Sequence, residues 1–173
     1  MGSVALVNAR VLAGESLRRD VAVLIDGGRI AALLPEPQAR AQAAETVDLE
    51  GGILLPGFID VQVNGGGGVL FNNAPTVEAL RSIVAGHRRF GSTGLLPTLI
   101  SDDADTMRAA VDAVRQAIAA GVPGVLGIHL EGPYLAPARK GTHDDAKFRV
   151  PDADEIALAT ALASGPVLRQ LPE

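Results

Sequence analysis

Residues 57–63, GFIDVQV, mark the point where the sequence changes from short β-type runs to a regular alternation of strands and helices. We expect this segment to form a buried strand, because it is largely apolar over the length of a typical strand. The predicted elements that follow it are a helix over 76–90, a strand over 94–100, a helix over 103–120, a strand over 124–130, a helix from Asp152 to before Gly165, and a fourth strand within 166–173. This alternation predicts the α/β class.

Apolar residues recur at helical spacing within the predicted helices. The stripe expected to be buried in the first helix consists of Val77, Leu80, Ile83, Val84 and Phe90. Gly121 is expected to end the second helix, because glycine readily adopts the left-handed conformation found there. Asp152 is expected to cap the third helix, with Glu155 three positions later as in a capping box.

Three βα units in series predict parallel strands joined by right-handed crossovers. A complete barrel of eight such units needs about 250 residues. The 173 residues supply only the first three to four units. We therefore expect the sheet to end with an open edge.

Residues 1–50 contain short β-type runs instead of strand–helix units. One run holds Asp26-Gly27-Gly28 between apolar flanks, which predicts a hairpin because glycine adopts a positive φ in tight turns. These strands are expected to form part of a small sheet.

Composition and charge narrow the classes of function. The net charge is −5 and there is no basic block, so nucleic-acid binding is not expected. The absence of cysteine excludes disulfides and thiolate metal sites. No basic start precedes an apolar run at the N-terminus, and no apolar run reaches the ~18 residues of a membrane span. The expected location is the cytoplasm, with no membrane partner.

Four glycines, Gly65 to Gly68, follow the first strand of the α/β region. A dinucleotide-binding loop is excluded, because Leu70 and Phe71 stand where the third glycine or alanine of that motif would be needed. The run predicts a flexible loop that comes close to a ligand, since glycine lets backbone N–H groups approach closely.

Polar side chains collect where the predicted strands end. Asp60, Gln62 and Asn64 share one face of the first strand, because alternate residues of a strand point the same way. Glu131 ends the third strand, and carboxylate oxygen is a suitable zinc ligand. A solvated strand end would give the same pattern, and one acid cannot hold a metal alone.

The three histidines of the chain differ in their surroundings. His129 precedes Glu131 within the third strand. His143 follows in the segment Lys140-Gly-Thr-His-Asp, whose hydroxyl, imidazole and ammonium groups suit a polar or anionic substrate or, alternatively, a solvated loop. His87 is in register with Ile83 and Val84, which favours a packing role over a ligand role.

Three segments together resemble one family: LPGFIDVQVNGGGGVLFNN (55–73), GSTGLLPTLIS (91–101) and GIHLEGPYLAPARKGTHD (127–144). They resemble the N-terminal portion of the N-acetylglucosamine-6-phosphate deacetylases of the amidohydrolase superfamily. The resemblance implies a partial (β/α)8 TIM-type barrel over 53–173. It also implies that residues 1–52 supply strands of a small β-sandwich domain, which is assembled from both chain ends.

The same resemblance implies site residues and a cofactor. Glu131 is similar in position to a metal ligand, and Thr142 and His143 to substrate contacts. Gln62 and Asn64 stand where many amidohydrolases have a His-x-His metal motif, a variant similar to the single-metal branch that usually binds one Zn2+. A homodimer is implied for the complete protein.

The resemblance leaves the catalytic set incomplete in this chain. The family's two histidine ligands and its catalytic aspartate, the general base, are expected beyond Glu173, the last residue of the sequence. No catalytic residue is therefore assigned within residues 1–173.

The activity implied is metal-dependent hydrolysis of the acetamide of N-acetylglucosamine 6-phosphate to glucosamine 6-phosphate and acetate. Because the base and two ligands are expected elsewhere, residues 1–173 alone are expected to be inactive. Two alternatives stay open. One is another amidohydrolase that acts on a cyclic amide or a different acetamido sugar, and the other is a non-catalytic truncated chain.

Overall fold

The computed structural model describes residues 2–161 and the backbone of residues 167–170. This part of the chain divides into two compact units. The first unit ends at Pro56 and the second begins at Gly57.

Short strands dominate the first unit. In chain order its elements are β1 (Val4–Val7), β2 (Arg10–Ala13), β3 (Ser16–Arg18), β4 (Ala22–Asp26), β5 (Arg29–Leu34), helix α1 (Glu36–Gln42), β6 (Glu45–Asp48) and β7 (Ile53–Leu54). They form a sheet of order β5-β4-β1-β6 and a second of order β3-β2-β7. The pairs β1–β6 and β2–β7 are parallel, and the remaining pairs are antiparallel.

The predicted hairpin is present between β4 and β5, where Asp26 pairs with Arg29. Gly27 and Gly28 form its two-residue turn with φ of 56° and 76°, which only glycine and a few polar residues adopt easily. Helix α1 is not among the predicted elements. It begins after Pro35 and has a proline in its first turn, a helix-start signal that its short length makes easy to overlook.

Strands and helices alternate in the second unit. Its elements are β8 (Phe58–Val63), β9 (Gly65–Gly66), β10 (Val69–Leu70), a 3-10 turn (Phe71–Asn73), α2 (Val77–Arg88), β11 (Ser92–Ile100), α3 (Ala104–Ala119), β12 (Ile128–Glu131), 3-10 turns (Pro137–Arg139 and Asp145–Lys147), α4 (Ala153–Thr160) and β13 (Val167–Gln170). The main sheet has the order β13-β12-β11-β8, and every pair in it is parallel. The predicted α/β class is confirmed.

The predicted fourth strand within 166–173 is present as β13, which pairs with β12 in parallel. Helix α4 ends at Thr160, so the predicted third helix is also present. Two positions named in the predictions, Gly165 and Glu173, lie outside the described residues. The end of the third helix before Gly165 therefore stays a prediction. The same holds for the two histidine ligands and the catalytic aspartate that are expected beyond Glu173.

Helix ends follow the expected chemistry. The Thr76 hydroxyl accepts a hydrogen bond from the Ala79 N–H at the start of α2, and the Asp152 carboxylate accepts one from the Glu155 N–H at the start of α4. Such caps satisfy backbone donors that have no partner inside the helix. Gly121 follows α3 with φ of 64°, as predicted.

One buried cluster joins α2 and α3 to the sheet of the second unit. Its largest fully buried side chains are Phe71, Leu80, Ile83, Leu95, Met107, Val111, Val114 and Ile128. This apolar packing holds the strands in place against α2 and α3, and so fixes the positions of the strand ends.

Two predictions of burial are wrong. Phe90 lies beyond the end of α2 and is 80% exposed, because the helix ends before its side chain could join the stripe. Residues 57–63 were expected to form a buried strand, yet within β8 only Val63 is buried and Phe58 and Ile59 are exposed. β8 is the edge strand of the sheet that the structure describes, so part of its surface has no neighbour.

Between residues 2 and 161, we find no helix whose length and apolarity would suffice for crossing a membrane.

Candidate functional site

The carboxyl ends of β8, β11 and β12 lie side by side at one edge of the parallel sheet. Thr98 pairs with His129 and Ile100 with Glu131 across β11 and β12. Since the strands are parallel, the residues that follow them in sequence meet at the same edge, where α/β proteins commonly bind ligands. Polar groups from separate parts of the sequence are thus brought together.

Glu131 lies at the centre of this carboxyl-terminal end of the sheet. Its Oε2 accepts a hydrogen bond of 3.0 Å from the side-chain amide of Gln62, and its Oε1 lies 3.4 Å from Nε2 of His143. The Glu131 side chain keeps 19% of its surface exposed. The structure therefore brings together three residues that the sequence singled out, and it leaves the carboxylate open to a ligand on one side.

His143 is buried and is anchored from its other ring nitrogen. Nδ1 lies 3.3 Å from the backbone N of Ser101 and 2.8 Å from its Oγ. The ring of Phe148 packs obliquely nearby, with 6.3 Å between ring centroids. Nε2 is thereby directed at Glu131.

The other candidate residues of the loop after β12, Thr142 and Lys140, do not bind Glu131. Thr142 is exposed, and its role as a substrate contact stays a prediction. The Lys140 ammonium forms an ion pair of 3.0 Å with Asp145, which places that charge on a neighbour in the loop. Of the predicted polar group, only His143 contacts Glu131.

His129, on the other side of Glu131 in sequence, faces a different environment. It is buried, and its Nδ1 lies 3.2 Å from the hydroxyl of Thr98. Burial lowers the pKa of His129, and the nearby charge of Glu131 opposes this shift. The Thr98 hydroxyl also accepts the Val63 N–H at 2.8 Å. His129 thus belongs to a buried polar connection between β8, β11 and β12.

His87 and the glycine run form a packing contact. Nε2 of His87 lies 2.8 Å from the carbonyl oxygen of Gly65, as expected of a residue with a packing role. Gly65 and Gly66 pair with Leu70 and Val69 in a short hairpin, and a Cβ on Gly66 would lie 2.7 Å from the His87 ring. Close packing on α2 explains the glycines here; the approach of this segment to a ligand stays a prediction.

Three residues of the site are not among the sequence candidates. Asn72 binds the end of β11: its Oδ1 accepts the Ile100 N–H, and its Nδ2 donates to the Ile100 carbonyl and to Asp102. Ser101 binds His143. Gly132, with φ of 90°, has room for no side chain, because a Cβ there would lie 2.2 Å from Ser101 Oγ. These roles depend on contacts between distant segments, which no local pattern reveals.

Ion pairs fix the loop that carries His143. Lys147 binds the carboxylate of Asp103 at 2.5 Å, next to the N-terminus of α3. Arg149 donates to the buried Glu155 at 2.6 Å and to the Asp102 carbonyl at 2.8 Å. The loop is therefore attached to the β11–α3 connection and to α4, which positions His143 over the strand ends.

The described residues fit one part of a metal site. Within residues 2–161, no group of three or more His, Asp or Glu side chains is arranged to hold a metal ion. Glu131 offers a partly exposed carboxylate at the strand ends, and the Gln62 amide donates to it. Its oxygen chemistry suits a divalent cation such as zinc, while a complete site needs two further ligands.

Curated relatives share the sequence over most of this chain, although no protein-family model matches it. An N-acetylgalactosamine-6-phosphate deacetylase of Shewanella sp. (strain ANA-3) is 45% identical over 146 residues, which cover 82% of this chain and 36% of that protein. N-acetylglucosamine-6-phosphate deacetylases of Haemophilus influenzae and Homo sapiens are 33% and 38% identical, covering 98% and 85% of this chain. The matches cover 47% and 37% of those two proteins, so the chain spans less than half the length of these relatives.

Solved structures agree in fold. N-acetylglucosamine-6-phosphate deacetylase from Pasteurella multocida superposes with a TM-score of 0.88 at 32% identity, covering 94% of this chain and 43% of that one. The enzyme from Mycobacterium smegmatis gives 0.77 at 32% identity, covering 95% and 46%. A triazine hydrolase variant, 19% identical with a TM-score of 0.63 over 99% of this chain and 46% of that one, shares the fold alone. The resemblance seen in the sequence is confirmed: over the part of those proteins that it covers, this chain is similar to the N-acetylglucosamine-6-phosphate deacetylases in sequence and in fold.

Proposed function

We propose that residues 1–173 are part of a metal-dependent deacetylase that hydrolyses the acetamide of N-acetylglucosamine 6-phosphate to glucosamine 6-phosphate and acetate. One observation carries the proposal: the partly exposed Glu131 carboxylate lies at the strand ends between Gln62 and His143. The relatives named for this activity, 33–38% identical, support the choice of substrate class.

The proposed architecture is the first part of a (β/α)8 barrel over 53–173, preceded by strands of a small β-sandwich over 1–52. Support comes from the parallel order β13-β12-β11-β8 and from the two small sheets of the first unit. In such a barrel, catalytic groups project from the carboxyl ends of the strands, which is where Glu131 lies.

Glu131 is the proposed ligand of one divalent metal ion. Zn2+ is the proposed ion, because carboxylate oxygen and imidazole nitrogen are ligands that zinc accepts. When bound beside Glu131, such an ion would supply Lewis-acid chemistry for hydrolysis of the acetamide. Gln62 orients the carboxylate through its amide, as partners of metal ligands commonly do. The two remaining ligands and the general-base aspartate are proposed to lie beyond Glu173.

His143 and Thr142 are the proposed substrate contacts. His143 is buried with Nε2 directed toward Glu131, so it can hydrogen-bond an oxygen of a sugar bound there. Thr142 is the adjacent residue and is exposed, which leaves its hydroxyl accessible. Holding the sugar in one orientation lowers the entropic cost of reaching the transition state. A cytoplasmic location, expected from the sequence, and a homodimer of the complete protein, as the family resemblance implies, complete the proposal.

A second candidate substrate is N-acetylgalactosamine 6-phosphate. The relative named for that substrate is 45% identical, against 33% and 38% for the two relatives named for the glucosamine isomer. The two sugars differ only in the orientation of one hydroxyl, so the same Glu131 site and the same hydrolysis would serve both.

The test is acetate release by the complete protein that carries residues 1–173, purified with Zn2+. The substrates to compare are the two N-acetylhexosamine 6-phosphates, N-acetylglucosamine without phosphate, and a cyclic amide such as hydantoin. We expect kcat/KM for one of the 6-phosphates to exceed that for the unphosphorylated sugar by roughly 100-fold or more. The reason is that the unphosphorylated sugar cannot make the charge-assisted hydrogen bonds that a phosphate group makes. Ring opening of hydantoin without acetate release from either phosphate would contradict the proposal.

A further inference from the structure

Ser101 presents two hydrogen-bonding groups to one ring nitrogen of His143. Its backbone N lies 3.3 Å and its Oγ 2.8 Å from Nδ1, and both residues are 7% exposed. We propose that Ser101 is a positioning residue that fixes the tautomer of His143, so that Nδ1 accepts and Nε2 carries the hydrogen. The consequence for catalysis rests on the proposed function.

The tautomer follows from the backbone donor. A backbone N–H can only donate, so Nδ1 must offer its lone pair toward Ser101. A hydrogen on Nδ1 would face the Ser101 N–H directly and would lose that bond. The Ser101 hydroxyl can rotate to donate to the same lone pair, which adds a second, adjustable donor. In the neutral ring, the hydrogen must then be on Nε2.

Neighbouring contacts hold Ser101 in this position. It directly follows Ile100, whose N–H and carbonyl both bind the side chain of Asn72. On the other side, Oγ occupies the space that a Cβ on Gly132 would need, at 2.2 Å. Ser101 is therefore confined between the end of β11 and the corner that follows Glu131.

The fixed tautomer turns His143 into a donor at the site. Nε2 lies 3.4 Å from Glu131 Oε1, which is long for a hydrogen bond and leaves the N–H available. An acetamido sugar bound beside Glu131 presents carbonyl and hydroxyl oxygens, and each can accept this hydrogen bond. With the opposite tautomer, Nε2 could bind only a donor of the substrate. Ser101 thus selects which substrate atoms His143 can hold.

The experiment uses the complete, zinc-loaded protein labelled with 15N at histidine. Long-range 1H–15N spectra report which ring nitrogen carries the hydrogen, and the His143→Gln variant assigns the signals. The variants are Ser101→Ala and, as a matched control, Ser82→Ala, whose hydroxyl binds the Glu78 carbonyl on an exposed face of α2. We expect the Nε2–H tautomer in the wild type and in both variants, because Ser101→Ala keeps the backbone N–H that fixes it. In Ser101→Ala the Nδ1 resonance should shift, because the ring loses the hydroxyl donor, and kcat should fall roughly 10-fold, the lower end of the effect seen for partners of site residues.

Each outcome decides the inference. A wild-type spectrum with the hydrogen on Nδ1 overturns it, and so does a Ser101→Ala variant whose Nδ1 resonance and kcat are both unchanged. If Ser101→Ala does not fold, the wild-type spectrum alone decides. A protein that releases no acetate but shows the expected spectra would refute the proposed function while leaving the assignment of the tautomer in place.

Discussion

Glu131 gathers its partners from segments that are far apart in sequence. Gln62 comes from β8 and His143 from the loop that follows β12, and both face the same carboxylate. The carboxylate is only partly shielded, so its charge is available to a cation. At the scale of single residues, cation binding therefore depends on this carboxylate and on the packing directly behind it.

Replacing Glu131 by Gln keeps the shape of the side chain and removes its charge. We expect the complete protein to lose deacetylase activity by roughly 100-fold or more, because even the partners of metal ligands contribute 10–100-fold. Bound zinc, measured by elemental analysis after dialysis, should fall in parallel. Glu78→Gln, a change of the same kind at an exposed position of α2, is the control. Full activity and full zinc content in Glu131→Gln would refute the ligand assignment.

Replacing Gly132 by Ala tests the packing behind Glu131. The new Cβ would meet Ser101 Oγ at 2.2 Å, in addition to the strain of a positive φ. The control is Gly141→Ala, where φ is also positive, at 56°, and no atom lies within 4 Å of the new Cβ.

Both alanine variants carry the left-handed strain of about 1–2 kcal/mol. We expect Gly132→Ala to lose about 1–3 kcal/mol more, as overpacked sites do. Urea denaturation measures the difference between the two variants. Equal free energies of unfolding would show that the contact with Ser101 carries no cost.

At the scale of elements, the end of β11 is held by a side chain from outside the strand. Asn72 binds both the N–H and the carbonyl of Ile100 and also reaches Asp102. This attachment determines where the next residue, Ser101, lies. The 3-10 turn that carries Asn72 therefore contributes to the site without touching Glu131.

Asn72→Ala should lower the free energy of unfolding by about 2–3 kcal/mol, because three hydrogen bonds to the end of β11 and to Asp102 are lost. The neighbouring Asn73 is exposed, and Asn73→Ala should change stability by less than about 0.5 kcal/mol. Chemical denaturation of the two variants gives the comparison. Similar midpoints for both would contradict the role of Asn72.

Elements with a clear period were predictable, and contacts across elements were not. The stripe Leu80–Ile83–Val84 placed α2 correctly, and Gly27-Gly28 placed the first hairpin. The stripe failed at Phe90, since periodicity does not show where a helix ends. The burial of residues 57–63 failed because a strand's place in the sheet depends on pairing with distant segments.

The residues of the site likewise fall into those that could be predicted from the sequence and those that could not. Glu131, Gln62 and His143 could be singled out from polar residues at predicted strand ends and from the family resemblance. Ser101 and Asn72 could not, because their partners are set by the register of β11 and by the path of the loop after β12. Thr142 as a substrate contact stays a prediction.

At the scale of the whole molecule, this chain spans less than half the length of the relatives named above. Within the residues that the structure describes, Glu131 has no set of further acidic or histidine ligands that would complete a metal site. The remaining ligands and the base are proposed to come from beyond Glu173.

Residues 1–173, expressed alone and loaded with Zn2+, should therefore release no acetate from N-acetylglucosamine 6-phosphate. The assay compares this chain with the complete protein at equal concentration. Measurable turnover that survives further purification would show that the chain holds its own catalytic base and metal ligands, against the proposed division.

The central claim is that the Glu131 carboxylate binds the catalytic metal. The most direct measurement is an anomalous-difference map at the zinc absorption edge from crystals of the complete, zinc-loaded protein. We expect a peak within about 2.0–2.2 Å of a Glu131 oxygen, the usual distance for a zinc–carboxylate bond. A peak distant from residue 131, with the Glu131 carboxylate facing solvent, would contradict it.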